Sequence, residues 1–347
     1  MIVFNGSPQR EDIWANRAFL YGDGVFETIR ISGGRVLFLE DHYFRLMASM
    51  RILRMEIPML FTMEFIEEQV LLAASVNDCR EGARVRFTVF RKGDGRYFPL
   101  SREVDWHISA EPKPSGPYQI SNQQYEADLF RDFHVPAHLL STLKTTNRLV
   151  NITAGIFASE NGLDNCLMVN ESKNVVEAIN GNIFLMIGGQ LITPPLSEGC
   201  LNGIMRKQVL LSVRKANTIE VVERAVSPFE IQKADELWIT NVIAGIIPVT
   251  RYRKKEYLNA AASGTLALIN NLEGLNCASD SREHLTRLDS RLQVRGFSLS
   301  KSRWHFYPGS CSRTGSPTQS RNLKTSHSPI AAHPILCTPG RTGYYCV

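Results

Sequence analysis

Hydrophobic and polar positions in the first 112 residues change period twice. Val25-Phe-Glu-Thr-Ile-Arg-Ile-Ser and Arg35-Val-Leu-Phe-Leu are β-leaning runs on either side of Gly33-Gly34. Paired glycines supply the positive φ that a tight turn needs, so this stretch predicts a hairpin. Asp41 then suits the N-cap of a helix through His42–Ile52, because its side chain can accept from amides that lack an intrahelical partner. A second amphipathic helix is expected over Glu64–Val76 and an alternating strand over Ala83–Phe90, which together make a small α/β unit over 1–112. Two prolines in Glu111–Gly116 mark a linker. Residues 117–272 form a larger unit, with strands expected at Asn165–Asn170, Asn182–Ile187, Glu220–Arg224 and Glu236–Thr240. Helices are expected at Leu149–Glu160, Gly203–Ala216 and Tyr257–Asn271. Strands and helices mixed without a strict βαβ alternation favour an α+β fold over a doubly wound sheet.

Beyond Leu272 the texture turns to Ser, Arg, Thr, Pro and His with no sustained apolar period, so 273–347 reads as a disordered basic tail. Two readings of it stand side by side: a non-functional extension such as out-of-frame read-through, or a basic interaction tail. This stretch also decides what the formal charge of +5 means. It holds ten Lys/Arg against four acids, a local +6, which leaves the first 272 residues near −1. The body of the chain is thus close to neutral, and the charge gives no reason to expect a nucleic-acid partner. No apolar run reaches the ~18 residues of a membrane span, and the N-terminus lacks a basic region followed by an apolar core. A cytoplasmic protein with reduced thiols is the expectation. None of the seven cysteines forms a C-x-x-C pair, and no metal site is suggested.

No G-x-G-x-x-G, P-loop, H-E-x-x-H or G-x-S-x-G is present. Three polar features stand in apolar surroundings instead. Lys144, in Leu143-Lys-Thr-Thr-Asn-Arg, precedes a predicted helix; burial would desolvate its ammonium and lower its pKa, as a nucleophilic amine requires. Glu177 lies in the β-leaning run Asn174-Val-Val-Glu-Ala-Ile-Asn-Gly-Asn-Ile-Phe, where an acid needs water or a cationic partner. Leu201-Asn-Gly-Ile-Met-Arg places a glycine at a helix start after Pro194-Pro195, a natural phosphate seat with free amides and the positive end of the helix dipole. Taken singly, each also has a plain reading: a solvated lysine, an exposed hairpin carboxylate, an ordinary loop-to-helix junction.

Together with Tyr21-Gly-Asp-Gly-Val-Phe-Glu-Thr-Ile-Arg, Asp41-His-Tyr-Phe-Arg-Leu and Ala234-Asp-Glu-Leu-Trp-Ile-Thr-Asn, these segments make six ordered blocks across roughly residues 15–255. They resemble those of the class IV, or fold type IV, pyridoxal-phosphate enzymes: branched-chain and D-amino-acid aminotransferases and 4-amino-4-deoxychorismate lyases. The resemblance implies a small N-terminal and a larger C-terminal α/β domain, a homodimer, and pyridoxal 5′-phosphate as cofactor. Residue by residue, it makes Lys144 the amine that joins the cofactor aldehyde and shuttles the substrate proton. Glu177 becomes the partner of the pyridine nitrogen and Arg45 that of the phosphate. Backbone amides around Leu201, Gly203 and Ile204 complete the phosphate cup.

One departure bears on the reaction. Val242 stands where the transaminases usually carry a threonine or serine, so that hydroxyl contact must be lost or taken over by Thr240 or Asn241. Asn241, Thr28, Lys144-Thr-Thr-Asn-Arg-Leu and Asn202-Gly-Ile-Met-Arg resemble the lyases instead. Substrate-pocket candidates are Tyr21, Phe26, Arg30, Arg91, Arg96 and Tyr97. The Arg91–Tyr97 segment reads either as a Gly-rich loop that pairs a substrate carboxylate or as a solvated basic hairpin. The leading expectation is amino-group transfer between a small amino acid and a 2-oxo acid, with branched-chain substrates the default that the resemblance implies. The alternatives are release of pyruvate and p-aminobenzoate from aminodeoxychorismate, and cofactor binding without catalysis.

Overall fold

The structure, a computed structural model, describes residues 2–4, 6–9 and 17–275. In chain order the first elements are β1 (Ile2–Phe4), β2 (Ser7–Gln9), α1 (Arg17–Tyr21), β3 (Gly24–Ser32), β4 (Arg35–Val36), α2 (Leu39–Ile52), α3 (Met63–Ser75), β5 (Gly82–Arg91) and β6 (Val104–Pro112). The strands form one antiparallel sheet in the order β2-β1-β6-β5-β3-β4. The expected hairpin is there, with Ser32 opposite Arg35 and both Gly33 and Gly34 at positive φ. Side chains alternate across β3 and β5. Val25, Ile29, Ile31, Val85, Phe87 and Val89 pack against Leu46 and Met50 of α2 and Ile66 and Val70 of α3. Phe26, Thr28, Arg84 and Arg86 therefore take the opposite face.

Asp41 is not the cap of α2. The helix begins earlier, at Leu39, and its N-cap is Phe38 in the left-handed region with no side-chain cap bond. Asp41 lies in the first turn and accepts from Lys207 and Gln208. Partners far along the same chain thus take the carboxylate that local sequence offers to the cap. The expected linker is shorter than Glu111–Gly116, since β6 runs through Pro112. Ser115 and Gly116 are tied back to the hairpin, with Gly33 N donating to Ser115 Oγ at 2.7 Å and Gly116 N to Ser32 Oγ at 2.8 Å.

The second sheet is built from β7 (Ala127–Val135), then, after α4 (Leu149–Glu160), β8 (Asn165–Asn170), β9 (Val175–Ala178), β10 (Gly181–Ile187) and β11 (Gln190–Thr193). Next come α5 (Ile204–Ala216), β12 (Glu220–Glu223), α6 (Pro228–Lys233), β13 (Glu236–Asn241), β14 (Gly245–Val249), the small pair β15 (Arg251–Tyr252) and β16 (Lys255–Glu256), and α7 (Ala260–Leu272). Strand order is β12-β11-β10-β9-β8-β7, with β13 also on β10 and β14 on β13. Only β7–β8 and β11–β12 run parallel among these pairs, so the fold is the α+β arrangement expected. Phe184 and Trp238 pack on Val209 of α5 and Ile269 of α7, and Leu37 and Phe38 of the first half enter the same core. That insertion seats α2 beside the start of α5. The expected tail falls, beyond Leu275, outside the described residues.

Candidate active site

Lys144 lies where the two sheets meet. Its carbonyl accepts from Phe26 N at 2.8 Å, Thr146 N donates to Gly24 O at 2.9 Å, and Val25 and Thr145 form an antiparallel bridge, so β3 holds this segment extended. The half-buried side chain opens into a cavity of about 440 Å³ lined by Phe26, Thr28, Arg45, Arg84, Arg86, Arg148, Glu177 and the start of α5, a volume suited to a small organic ligand. Nζ is 4.6 Å from the Phe26 ring centroid, and the Arg86 guanidinium carbon lies 3.6 Å from the same centroid. Burial, reinforced by the charges of Arg45, Arg148 and Arg86 and opposed by Glu27, lowers the Lys144 pKa to about 7. Much of this amine is therefore unprotonated near neutrality, able to attack an aldehyde.

Glu177, on β9, is buried, and its Oε2 accepts from Leu201 N at 2.8 Å. Burial raises its pKa, against the Leu201 amide and the charges of Arg148 and Lys144. Arg45 reaches into the same cavity from α2. Its Nε donates to Glu27 Oε1 at 2.8 Å, its Nη2 donates to Glu27 Oε2, and its Nη1 donates to Asn202 O at 2.9 Å. Glu27 is buried on the core-facing side of β3 and also bonds His42 Nδ1 at 2.7 Å. Burial alone would raise the Glu27 pKa, but the charge of Arg45 and hydrogen bonds from Arg45 and His42 outweigh it and bring the value to about 2. Burial holds His42 below its usual range despite that carboxylate. Arg45 is thus neutralised by one buried anion and aimed by it.

Next to Arg45, α5 starts at Ile204 with Gly203 as N-cap. The amides of Ile204, Met205 and Arg206 have no acceptor one turn back, which leaves a concentration of donors at the positive end of the helix. Gly203 is required by close approach: a Cβ there would overlap Asn182 Oδ1, and Asn182 cannot swing away without losing its bond to Leu201 O at 2.8 Å.

Phe26, Arg45, Lys144, Glu177, Leu201, Gly203, Ile204, Thr240 and Asn241 all border this one cavity. Several nevertheless act differently from the expectation. The Leu201 amide is taken by Glu177, and the Gly203 amide by Leu201 O at 2.8 Å, so of the three expected cup amides that of Ile204 is open. The Thr240 hydroxyl donates to Asn182 O at 3.4 Å within the sheet. Asn241 Oδ1 accepts from Ile243 and Ala244 amides at 3.1 and 2.9 Å, closing the turn after β13.

Five of the six substrate-pocket candidates do not line the cavity. Arg30 donates to Gly116 O at 2.8 Å and lies over the Tyr118 ring. Arg91 falls on the core-facing side of β5 and bonds Asp23 at 3.1 Å and Leu53 O at 2.8 Å. Arg96 and Tyr97 are exposed; the Arg96 carbonyl accepts from Arg17, and the Tyr97 ring meets that of Tyr21. Sequence reading passed over Arg84, Arg86 and Arg148 as wall residues. The signal for the first two was present: with Val85 and Phe87 in the core, strand alternation sends Arg84 and Arg86 to the face that Phe26 shares.

Residues 24–252, about two thirds of the chain, match the class IV aminotransferase family, and the chain belongs to it. That membership makes it a pyridoxal-phosphate-dependent enzyme, as the six blocks implied. It is 33% identical, over 67% of its length and 80% of the relative's, to a Methanocaldococcus jannaschii protein assigned as a branched-chain-amino-acid aminotransferase. It is 25% identical, over 73% and 85% of the two chains, to the aminodeoxychorismate lyase of Bacillus subtilis. A crystal structure of the branched-chain aminotransferase from Thermoproteus uzoniensis with norvaline superposes with a TM-score of 0.69 at 25% identity, covering 79% of this chain and 94% of that one. The expected fold type is therefore the observed one, and both reaction names occur among the relatives.

Proposed function

We propose that this enzyme transfers an amino group between a small amino acid, branched-chain substrates included, and a 2-oxo acid, with Lys144 as the residue that carries the cofactor. The supporting observation is an amine with a pKa near 7 in the same cavity as a buried carboxylate and a guanidinium set beside a helix start. That donor set fits pyridoxal phosphate. Arg45 and the amides of Ile204 and Met205 would take its phosphate, at a helix start where close approach of Asn182 leaves no room for a Cβ on Gly203. Glu177, pinned through Oε2 by Leu201, would present Oε1 to the ring nitrogen. When bound, the cofactor supplies an aldehyde for an amine and an electron-poor ring that accepts the pair released as the substrate Cα–H bond breaks. Lys144 Nζ, as a free amine beside the substrate, would take that proton and return it. Phe26 shields the amine from water on the β3 side.

Incubating the protein with pyridoxal phosphate, leucine and 2-oxoglutarate should yield glutamate, and Lys144→Ala should abolish it while the chain stays folded. A second reading is supported by the cavity wall: Arg84, Arg86 and Thr28 together suit a dianionic substrate, and aminodeoxychorismate carries two carboxylates. Formation of p-aminobenzoate in a parallel assay would favour that reading, and the absence of both products would sink both. Leu149, Ile152 and Ile156 make an exposed apolar stripe on α4, 54–70% accessible, which supports the homodimer that the family resemblance implies.

A further inference from the structure

Arg148 lines the cavity but has no part in the roles given above. It is the N-cap residue of α4 and makes no side-chain cap bond. Local helix chemistry gives no reason for an arginine there, since N-caps favour small polar side chains and the helix dipole disfavours a cation at this end. The guanidinium turns back along the chain instead. Its Nη2 donates to Leu143 O at 2.7 Å and its Nε to Thr145 O at 3.1 Å, while the intervening Lys144 carbonyl is held by Phe26 N. Three successive carbonyls around the amine-bearing residue are thus fixed, two of them by one planar fork.

We propose that Arg148 is the positioning residue of the Lys144 amine: its guanidinium clamps the 143–145 backbone so that the side chain enters the cavity in one direction, and it sets a permanent positive charge beside that amine. The inference rests on the reading of Lys144 as the cofactor-bearing residue. The charged groups that bear on Lys144 are Arg45 from α2, Glu27 from β3, Arg86 from β5, Glu177 from β9 and Arg148 itself. The three arginines disfavour the ammonium form and the two carboxylates favour it. Removing Arg148 takes away one of the three without touching the others. Glu177 would also lose a cation that favours its ionised form.

The clamp and the charge separate in two variants of the full chain. Arg148→Met loses both; Arg148→Lys keeps the charge but cannot bridge two carbonyls as a fork does. Pyridoxal phosphate is added to cofactor-free protein across the neutral to alkaline range, the adduct is trapped with borohydride, and Lys144 modification is counted by peptide mass spectrometry. Competitive acetylation of Lys144 in the same cofactor-free protein reports the amine directly. Arg148→Met should move the pH midpoint of both reactions up by about one unit, which slows capture at pH 7 about fivefold. Arg148→Lys should keep the midpoint and still slow capture, and it carries the test should the Met variant fail to fold. A wild-type midpoint in folded Arg148→Met, or wild-type capture by Arg148→Lys, overturns the proposal. Absence of any adduct at Lys144 in the unmodified protein overturns the cofactor reading instead.

Discussion

Replacing Glu27 by Gln tests whether the buried ion pair behind the cavity supports the fold as well as the anion end of the site. Glu27 is 2% exposed and bonds both Arg45 and His42, so Gln keeps the volume and removes the charge. Its carboxyl is brought from an ordinary 4.5 to about 2. At 1.36 kcal/mol per unit this corresponds to about 3 kcal/mol of linked stability, an order-of-magnitude figure that matches the cost of breaking a buried pair. The folded value lies below the unfolded one, so this stability is fully present above the unfolded pKa of 4.5 and is lost as pH falls toward 2. Urea unfolding of both proteins at several pH values measures it. The expected gap is about 3 kcal/mol at neutral pH, roughly 6–12 °C in melting temperature, and it narrows below pH 4.5. Arg45, left without its anion, should also hold phosphate less specifically. An Arg45→Lys variant would then differ little from wild type in the Glu27→Gln background. A gap that is absent at neutral pH, or that does not change with pH, would show that the pair is not electrostatically coupled as described.

Gly203→Ala forces a Cβ onto Asn182 Oδ1 and should cost about 1–3 kcal/mol while weakening cofactor retention; dialysis against buffer followed by the visible absorbance reads the latter, and full retention would contradict the close-approach argument. Arg86→Met should raise KM for an acidic substrate about tenfold or more and change KM for leucine little, because the wall loses a charge-assisted donor that an apolar side chain never used. Equal changes for both substrates would assign Arg86 to packing against Phe26 rather than to selectivity. Ile152→Asp puts a charge in the α4 stripe and should shift the protein toward monomer in sedimentation velocity, with melting temperature as the folding control. A monomeric wild-type protein would remove that prediction.

The hairpin, α4, β8 and most of α5 were legible along the chain because their signals are local. Gly33-Gly34 carries its turn in its backbone freedom, Asn165–Asn170 is apolar enough to be a strand wherever it packs, and Leu149–Glu160 has helical spacing throughout. Lys144 and Glu177 could also be singled out as an amine and an acid in apolar runs, whereas Arg45 was named only through the resemblance of Asp41-His-Tyr-Phe-Arg-Leu to a family block. What no local pattern contains is which donor meets which acceptor. The Leu201 amide was free to bind phosphate until β9 brought Glu177 beside it, and Asp41 was a cap until α5 brought Lys207. Arg91 and Arg86 illustrate the same limit within one strand. Both are arginines of β5, five residues apart, and the odd spacing sends one to Asp23 in the interior and the other into the cavity. Sequence sets the residue types and the period of each element, which depend on neighbours in the chain. Tertiary structure alone decides the partners of each polar group, because a hydrogen bond depends on how chain segments far apart in sequence are brought within about 3 Å of one another.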